Sequence, residues 1–281
     1  GVGNVVTGQG NIRKSLMHAK EVAKYLNENY FRGALGAASA EAVQEHINGR
    51  APLPAEKVEE IRGRIAVLQE KAGYGGDTSN CAIAAARQGA RSGYITAVGD
   101  DAFGRELIEL WRGEGVATEF VRTDPAAPTG LYIITPSPAG RDFAYYRAGS
   151  AASRYTAADL PVDALKRTRI VQLSGISQAI GEGPRTAGTA LIEAARQAEC
   201  DVAYDTNLRL KLWDLETARA PMHAAMARCT IALPSIDDSR ILTGLEDADA
   251  IADAYLAMGP RVVALKMGEA GAMIATTRTR V

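Results

Sequence analysis

The feature that most constrains this chain is a texture that sets in at Arg169. Four short apolar runs, "RIVQLSG", "CDVAYDTN", "CTIALPS" and "RVVALKMG", alternate with helix-length segments around "RTAGTALIEAARQA", "LETARAPMHAAMAR", "IDDSRILTG" and "DAIADAYLAM". Short apolar strands separated by helices pair through crossover connections, so this part is read as α/β, a mainly parallel sheet flanked by helices. Each run closes on polar residues or glycine: Ser174-Gly175, Asp205-Thr206-Asn207, Pro234-Ser235 and Lys266-Met267-Gly268. Ligands of open parallel sheets bind beyond the carboxyl ends of the strands, where loops and helix N-termini converge. Taken singly, Ser174 and Ser235 read equally well as N-caps of the helices that follow. The column of polar strand ends points to a site.

Upstream, "SGYITAVG", "TGLYIITP" and "DFAYYRA" read as strands, and the last two flank "SPAG", which predicts a hairpin over about residues 130–147. Residues 1–73 have a different pattern. Ile12, Leu16, Ala19, Val22, Ala23 and Leu26 recur at helical spacing, as do Val58, Ile61, Ile65 and Leu68, with a short helix ending at Asn48-Gly49 between them. The chain is therefore divided into a helical N-terminal arm over 1–73, of no recognised family, and an α/β domain over 74–281.

Charge excludes some partners. Lys and Arg number 32 against 33 Asp and Glu, a net charge of -1, so no electrostatic footprint for nucleic acid or an anionic membrane is present. No apolar run approaches the roughly 20 residues that cross a bilayer. Cys81, Cys200 and Cys229 are odd in number, sit in apolar contexts and lack metal-ligand spacing; they are read as buried, reduced thiols of a cytoplasmic protein. His18, His46 and His223 fall in helical stretches and no serine has a matched His and acid, so a hydrolase triad has no support. The start at Gly1 and the end at Val281, just past a strand-like stretch, read as those of a fragment or a processed chain.

The densest polar cluster is "YGGDTSN" from Tyr74, ahead of a small apolar helix. Gly75 and Gly76 let backbone approach a ligand, Asp77 or Thr78 could cap the helix, and Asn80 carries both a donor and an acceptor. A turn with a cap needs one glycine and one hydroxyl; the surplus fits a polyol or sugar site as well as it fits a turn. In "DFAYYRAGSAAS" strand alternation puts Tyr145 and Arg147 on one face. Arg147 is the charge an acidic ligand would need, or else a snorkelling arginine on an edge strand. In "DTNLRLKLWD", Arg209 and Lys211 add positive charge beside the strand end; the structural alternative makes them surface residues and Trp213 core.

Several stretches in order, "GGDTSN", "ITAVGDDAFG", "TGLYIITPSPAGRDFAYYRAGSAAS", "LSGIS", "DTNLRLKLW" and "VVALKMGEAGA", resemble the ribokinase-like, PfkB-type carbohydrate kinases over residues 74–281. "YYRAGSAAS" and "NLRLKLW" are most similar to the 2-keto-3-deoxygluconate kinases among them. The resemblance implies a ribokinase-like fold with a small β lid hairpin, and ATP-dependent phosphorylation of a sugar acid with Mg²⁺ at the phosphates. It implies that Gly76, Asp77 and Asn80 hold sugar hydroxyls and that Tyr132, Tyr145, Arg147 and Arg209 surround the substrate, the arginines meeting its carboxylate. It places Asn207, Ser235, Asp238, Lys266, Gly268 and Gly271 on the nucleotide side. Ser235 and Asp238 stand where the wider family commonly has Asn and Glu.

Family members also carry a Gly-Ala-Gly-Asp loop after the segment matching "VVALKMGEAGA", and the 281 residues contain no such stretch. The resemblance therefore assigns no catalytic residue here, and turnover by these residues alone is not expected. The helical arm stands where the family has its first strands. Pairing through the lid strands is a further implication. The competing readings are a fructokinase or another ribokinase-like sugar kinase, and a non-catalytic module that binds a sugar acid or associates through the arm.

Overall fold

The computed structural model describes residues 3–4, 76–137 and 140–281. After strand β1 (Gly3–Asn4) come helix α1 (Asp77–Arg87), strand β2 (Thr96–Gly99), helix α2 (Ala102–Gly113), strand β3 (Val121–Asp124) and strands β4 (Leu131–Ser137) and β5 (Gly140–Tyr146). A helical turn, α3 (Val162–Leu165), leads into β6 (Ile170–Ser174), α4 (Gly175–Ala179), α5 (Glu182–Gln197) and β7 (Asp201–Asp205). Then follow α6 (Leu215–Met226), β8 (Ile231–Ala232), α7 (Ile236–Thr243), α8 (Ala248–Met258), β9 (Val262–Lys266) and β10 (Ala272–Ala275). The helices expected over residues 11–73 lie outside the described residues.

The chain divides into two compact units, one of residues 1–3, 76–131 and 147–281, the other of residues 4–75 and 132–146. In the first, β6 to β10 form a sheet in the order β10-β9-β8-β7-β6, parallel except that β10 runs antiparallel to β9. Sheet order follows chain order, so every crossover steps to the adjacent strand, as the alternation of strand and helix demands. Register aligns the polar ends: Ser174 lies opposite Asp205, and Ser235 bridges to Lys266. The run "CTIALPS" yields only a two-residue strand for a local reason. At its start Thr230 Oγ1 takes the Val202 N–H at 2.8 Å, although Thr230 N and Leu233 N still donate to Val202 O and Tyr204 O at 2.8 Å, and at its end Pro234 has no N–H to give.

The main core lies on this sheet. Val202, Tyr204, Val263 and Leu265 are at 0% exposure, packed with Ile192 and Ala195 of α5, Met226 of α6 and Ile251 and Tyr255 of α8. Burying a Val, Ile, Leu or Met side chain is worth about 1.5–3 kcal/mol, so this cluster is the main source of stability for the rim it carries. Tyr204 keeps its one polar atom satisfied by donating to Gln178 Oε1 at 2.6 Å.

The stretch "ITAVGDDAFG" turns out to be a joint. Asp101 caps α2 by accepting from Gly104 N at 2.8 Å, and its two oxygens also take the Thr129 N–H and hydroxyl at 2.7 and 2.8 Å. Gly99 N in turn donates to Thr129 Oγ1 at 2.9 Å, and a Cβ on Gly99 would sit 2.6 Å from the Ala127 carbonyl and Thr129 nitrogen. β2 pairs in parallel with β3, a strand that the reading of the sequence did not anticipate.

In the second unit β4 and β5 are hydrogen-bonded neighbours, the expected hairpin, with the Tyr132 and Tyr145 ring centroids 6.2 Å apart. Arg147 lies just past β5 and is 6% exposed, a buried cation and not a snorkelling one. The thiol expectation is corrected at one position: Cys200 and Cys229 are buried, but Cys81 is exposed on α1, because its place on the helix lies off the face that buries Ser79 and Ile83. Among the described residues no helix is long and apolar enough to cross a membrane.

Candidate functional site

The surplus of polar groups in "GGDTSN" separates into two kinds. Thr78 Oγ1 shares a hydrogen bond with Tyr94 Oη at 2.9 Å, and Ser79 Oγ accepts from the buried Trp111 Nε1 at 2.7 Å; both hydroxyls anchor α1 to the α/β body. Neither Asp77 nor Thr78 caps the helix, contrary to expectation. Gly76 occupies the N-cap position and has no side chain to bond with, and Asp77 and Thr78 already lie within the first turn.

Asp77 and Asn80 are the second kind. Asn80 Oδ1 accepts from Gly76 N at 3.3 Å, closing the first turn. Asp77 Oδ1 accepts from Asn207 Nδ2, a short contact between residues 130 apart in sequence. Asp77 Oδ2 is buried and has no hydrogen-bond partner among the described residues. The start of α1 is thereby tied to the carboxyl end of β7.

That strand end is a network. Lys266 Nζ donates to Asp205 Oδ2 at 2.7 Å across the intervening β8, leaving Asp205 Oδ1 buried and unbonded. Thr206 Oγ1 and Leu208 N both donate to Asp238 Oδ2, at 3.0 and 3.1 Å, while Asp238 N donates to Ser235 Oγ at 3.2 Å. Asn207, between them, holds a left-handed φ of 34°, a conformation that costs a non-glycine residue of order 1 kcal/mol and is kept only where surrounding bonds enforce it. Gly175 sets the approach from the neighbouring strand: a Cβ there would lie 2.1 Å from the Thr206 carbonyl.

The electrostatics agree with this geometry. Desolvation pushes the Asp205 carboxyl above its ordinary range, the Lys266 ammonium opposes that, and the charges of Asp77 and Asp238 add to it. Desolvation also raises the Cys81 thiol, with Asp77 and Asp205 reinforcing and Lys266 opposing. Three acids and one lysine thus feel one another at the rim. Arg147 is close enough to Tyr94 for its charge to act on that phenol, whose pKa burial drives well above the ordinary value. Arg209 is exposed, with Nη1 donating to Leu208 O at 2.8 Å. Lys211 is exposed too and Trp213 is buried beneath the Arg185 guanidinium, 5.5 Å from the ring centroid, as the structural alternative had it.

Lys266 opens a glycine turn between β9 and β10. Gly268 and Gly271 have φ of 60° and 91°, both facing open space, and Met267 N donates to Gly271 O at 2.8 Å to close the turn. Positive φ selects glycine here, and the absence of side chains leaves backbone accessible to a flat or charged ligand. Among the described residues no group of three or more His, Cys, Asp or Glu is placed to hold a metal ion.

Of the residues marked in the sequence, hydrogen bonds join Gly76 to Asn80, Asp77 to Asn207, and Ser235 to Asp238. Lys266 pairs with Ser235 in the sheet and leads straight to Gly268 and Gly271. Tyr132 and Tyr145 pair with each other on the hairpin of the second unit. Thr206 and Asp205 were not marked as site residues, although both stand in the "DTN" strand end. A surface cleft of about 580 Å³ lies elsewhere, between Phe120 and the segment 160–167, and shares no residue with the network.

A family model described as "pfkB family carbohydrate kinase" matches residues 34–281. The chain belongs to the pfkB family of carbohydrate kinases. It is 35% identical over 205 residues to the 2-dehydro-3-deoxygluconokinase of Thermoproteus tenax, covering 71% of this chain and 62% of that protein. It is also 35% identical over 177 residues to fructokinase-1 of Zea mays, covering 62% of this chain and 54% of the relative. Among solved structures, a PfkB protein from Polaromonas sp. JS666 superposes with a TM-score of 0.71 at 28% identity, over 74% of this chain and 71% of that one. The chain thus spans about three-fifths of the length of the curated relatives it matches. The pfkB match begins at residue 34, and so takes in part of the segment read as a separate arm.

Proposed function

We propose that this pfkB-family protein binds a sugar acid, 2-keto-3-deoxygluconate, as the acceptor of a phosphoryl group from ATP. The observation that carries the reading is the Asn207–Asp77 hydrogen bond, which joins the "GGDTSN" helix start to the polar rim of the parallel sheet. In this reading Asp77 Oδ2, buried and without a partner, accepts a sugar hydroxyl, beside Gly76 and Asn80. Arg147 and Arg209 meet the carboxylate, a task that suits the planar, permanently charged guanidinium fork.

On the nucleotide side, Lys266 supplies a point charge to phosphate oxygens, and Gly268 and Gly271 let the chain lie against the nucleotide. Asn207, Ser235 and Asp238 face the phosphates and their hydration. A bound Mg²⁺ nucleotide would supply the transferable group; phosphoryl transfer depends chiefly on positioning and charge stabilisation, and these side chains would contribute to the positioning. No general base is assigned to any of the 281 residues.

A fructokinase is the second reading, favoured by a 35% identity to the maize enzyme, the same percentage as to the deoxygluconokinase though over 177 residues against 205. Fructose has no carboxylate, so the arginines decide. Calorimetric titration of the wild type should show at least tenfold tighter binding of 2-keto-3-deoxygluconate than of fructose. Arg147→Ala and Arg209→Ala should each weaken only the sugar acid, by roughly tenfold or more, the loss of a charged hydrogen bond worth about 1.5–3 kcal/mol. Equal binding of the two sugars would favour a fructokinase. Heat from neither sugar would favour a non-catalytic module.

A further inference from the structure

Asp77 is bonded from both directions in an unequal way. Its Oδ1 takes the Asn207 amide and its Oδ2 is buried with no partner, so one carboxylate faces the proposed acceptor with one oxygen and the proposed nucleotide side with the other. Asn207 needs that contact. It is held at φ 34°, between Asp205, committed to Lys266, and Leu208, whose N–H is committed to Asp238. The backbone on either side is fixed, and the contact to Asp77 fixes the amide itself. An amide so held presents its remaining groups in one direction, and an amide released from Asp77 would not.

We infer that Asp77 is a positioning residue for the nucleotide: through Asn207 it orients the phosphate-side amide, and it thereby couples acceptor binding to nucleotide binding. The inference rests on the reading that Asn207 faces the phosphates. Linkage makes such a coupling equal in both directions whatever its route: whatever the acceptor does for the nucleotide, the nucleotide does for the acceptor. A hydroxyl on Oδ2 immobilises the Asp77 carboxylate, Asn207 is then held more firmly, and less ordering is left for the nucleotide to impose.

The test is titration of Mg·ADP into the protein without sugar. Wild type should bind; Asp77→Ala should bind about tenfold more weakly, and Asn207→Ala, which also removes the phosphate-side amide itself, at least as weakly. The double variant should lose little more than Asn207→Ala alone, since Asp77 acts on the nucleotide only through Asn207. Asp77→Asn keeps an acceptor oxygen for Asn207 and should stay within about threefold of wild type, a rescue that a merely structural role for the carboxylate would not give. A second measurement needs no variant: saturating 2-keto-3-deoxygluconate should tighten Mg·ADP binding to the wild type at least threefold. Wild-type affinity in Asp77→Ala, equal losses in Asp77→Asn and Asp77→Ala, or no change with sugar acid would each overturn the coupling. Failure of the wild type to bind Mg·ADP at all would instead overturn the nucleotide reading on which it rests.

Discussion

Asp205 shows how much a single side chain at the rim is shaped by its setting. Its carboxyl is raised first by desolvation, then by Asp77 and Asp238, against the pull of Lys266. A raised carboxyl binds a proton more tightly in the folded than in the unfolded chain, so its contribution to stability is full below the unfolded value near 3.8 and falls as pH rises through the folded one. Asp205→Asn removes that dependence. The stability of the variant relative to wild type, from denaturant melts at a series of pH values, should therefore improve as pH rises from about 4; a difference that stayed flat or declined would contradict the assignment. The rim residues were legible in part. "DTN" after an apolar run marks a strand end, but nothing in it says that Asp205 meets Lys266, because that pairing depends on β8 standing between their strands. The hydroxyls of Thr78 and Ser79 look like ligand groups in the sequence, and only the positions of Tyr94 and Trp111 show them to be anchors.

The elements carry these residues through backbone proximity. α4 starts against the Thr206 carbonyl at a distance that only glycine permits, so Gly175→Ala must displace either the helix or the strand end. Overpacking of this kind costs about 1–3 kcal/mol, and the displacement lands next to Asn207. A lowered denaturation midpoint together with weaker Mg·ADP binding is the expected outcome, and an unchanged midpoint would show that the close approach does not constrain the rim. Below the rim, Leu265→Ala, at the fully buried position one residue before the end of β9, should cost about 2–5 kcal/mol, measurable in the same melts. Alternation of strand and helix made β6, β7 and β9 readable, and the SPAG turn made the β4–β5 hairpin readable. α2 and β3 were not, since the role of "GDDAFG" depends on Asp101 joining Gly104 to the distant Thr129, a contact that local pattern does not show. β8 was readable in place and not in length, because the Thr230 hydroxyl takes the Val202 N–H at one end and Pro234 has no N–H to offer at the other.

At the scale of the molecule, sheet order that follows chain order brings the carboxyl ends of β6, β7, β8 and β9 to one rim, and α1 is tied to that rim through Asp77. Family membership and rim agree in kind: a carbohydrate kinase needs an acceptor site and a phosphate site within reach of each other, and one hydrogen bond links the residues proposed for each. The measurement that bears most directly on this is backbone hydrogen exchange with and without Mg·ADP and 2-keto-3-deoxygluconate together. Slowed exchange should concentrate in residues 76–82, 205–209, 235–239 and 266–271. Protection centred on Phe120 and residues 160–167, or none along the rim, would contradict the account.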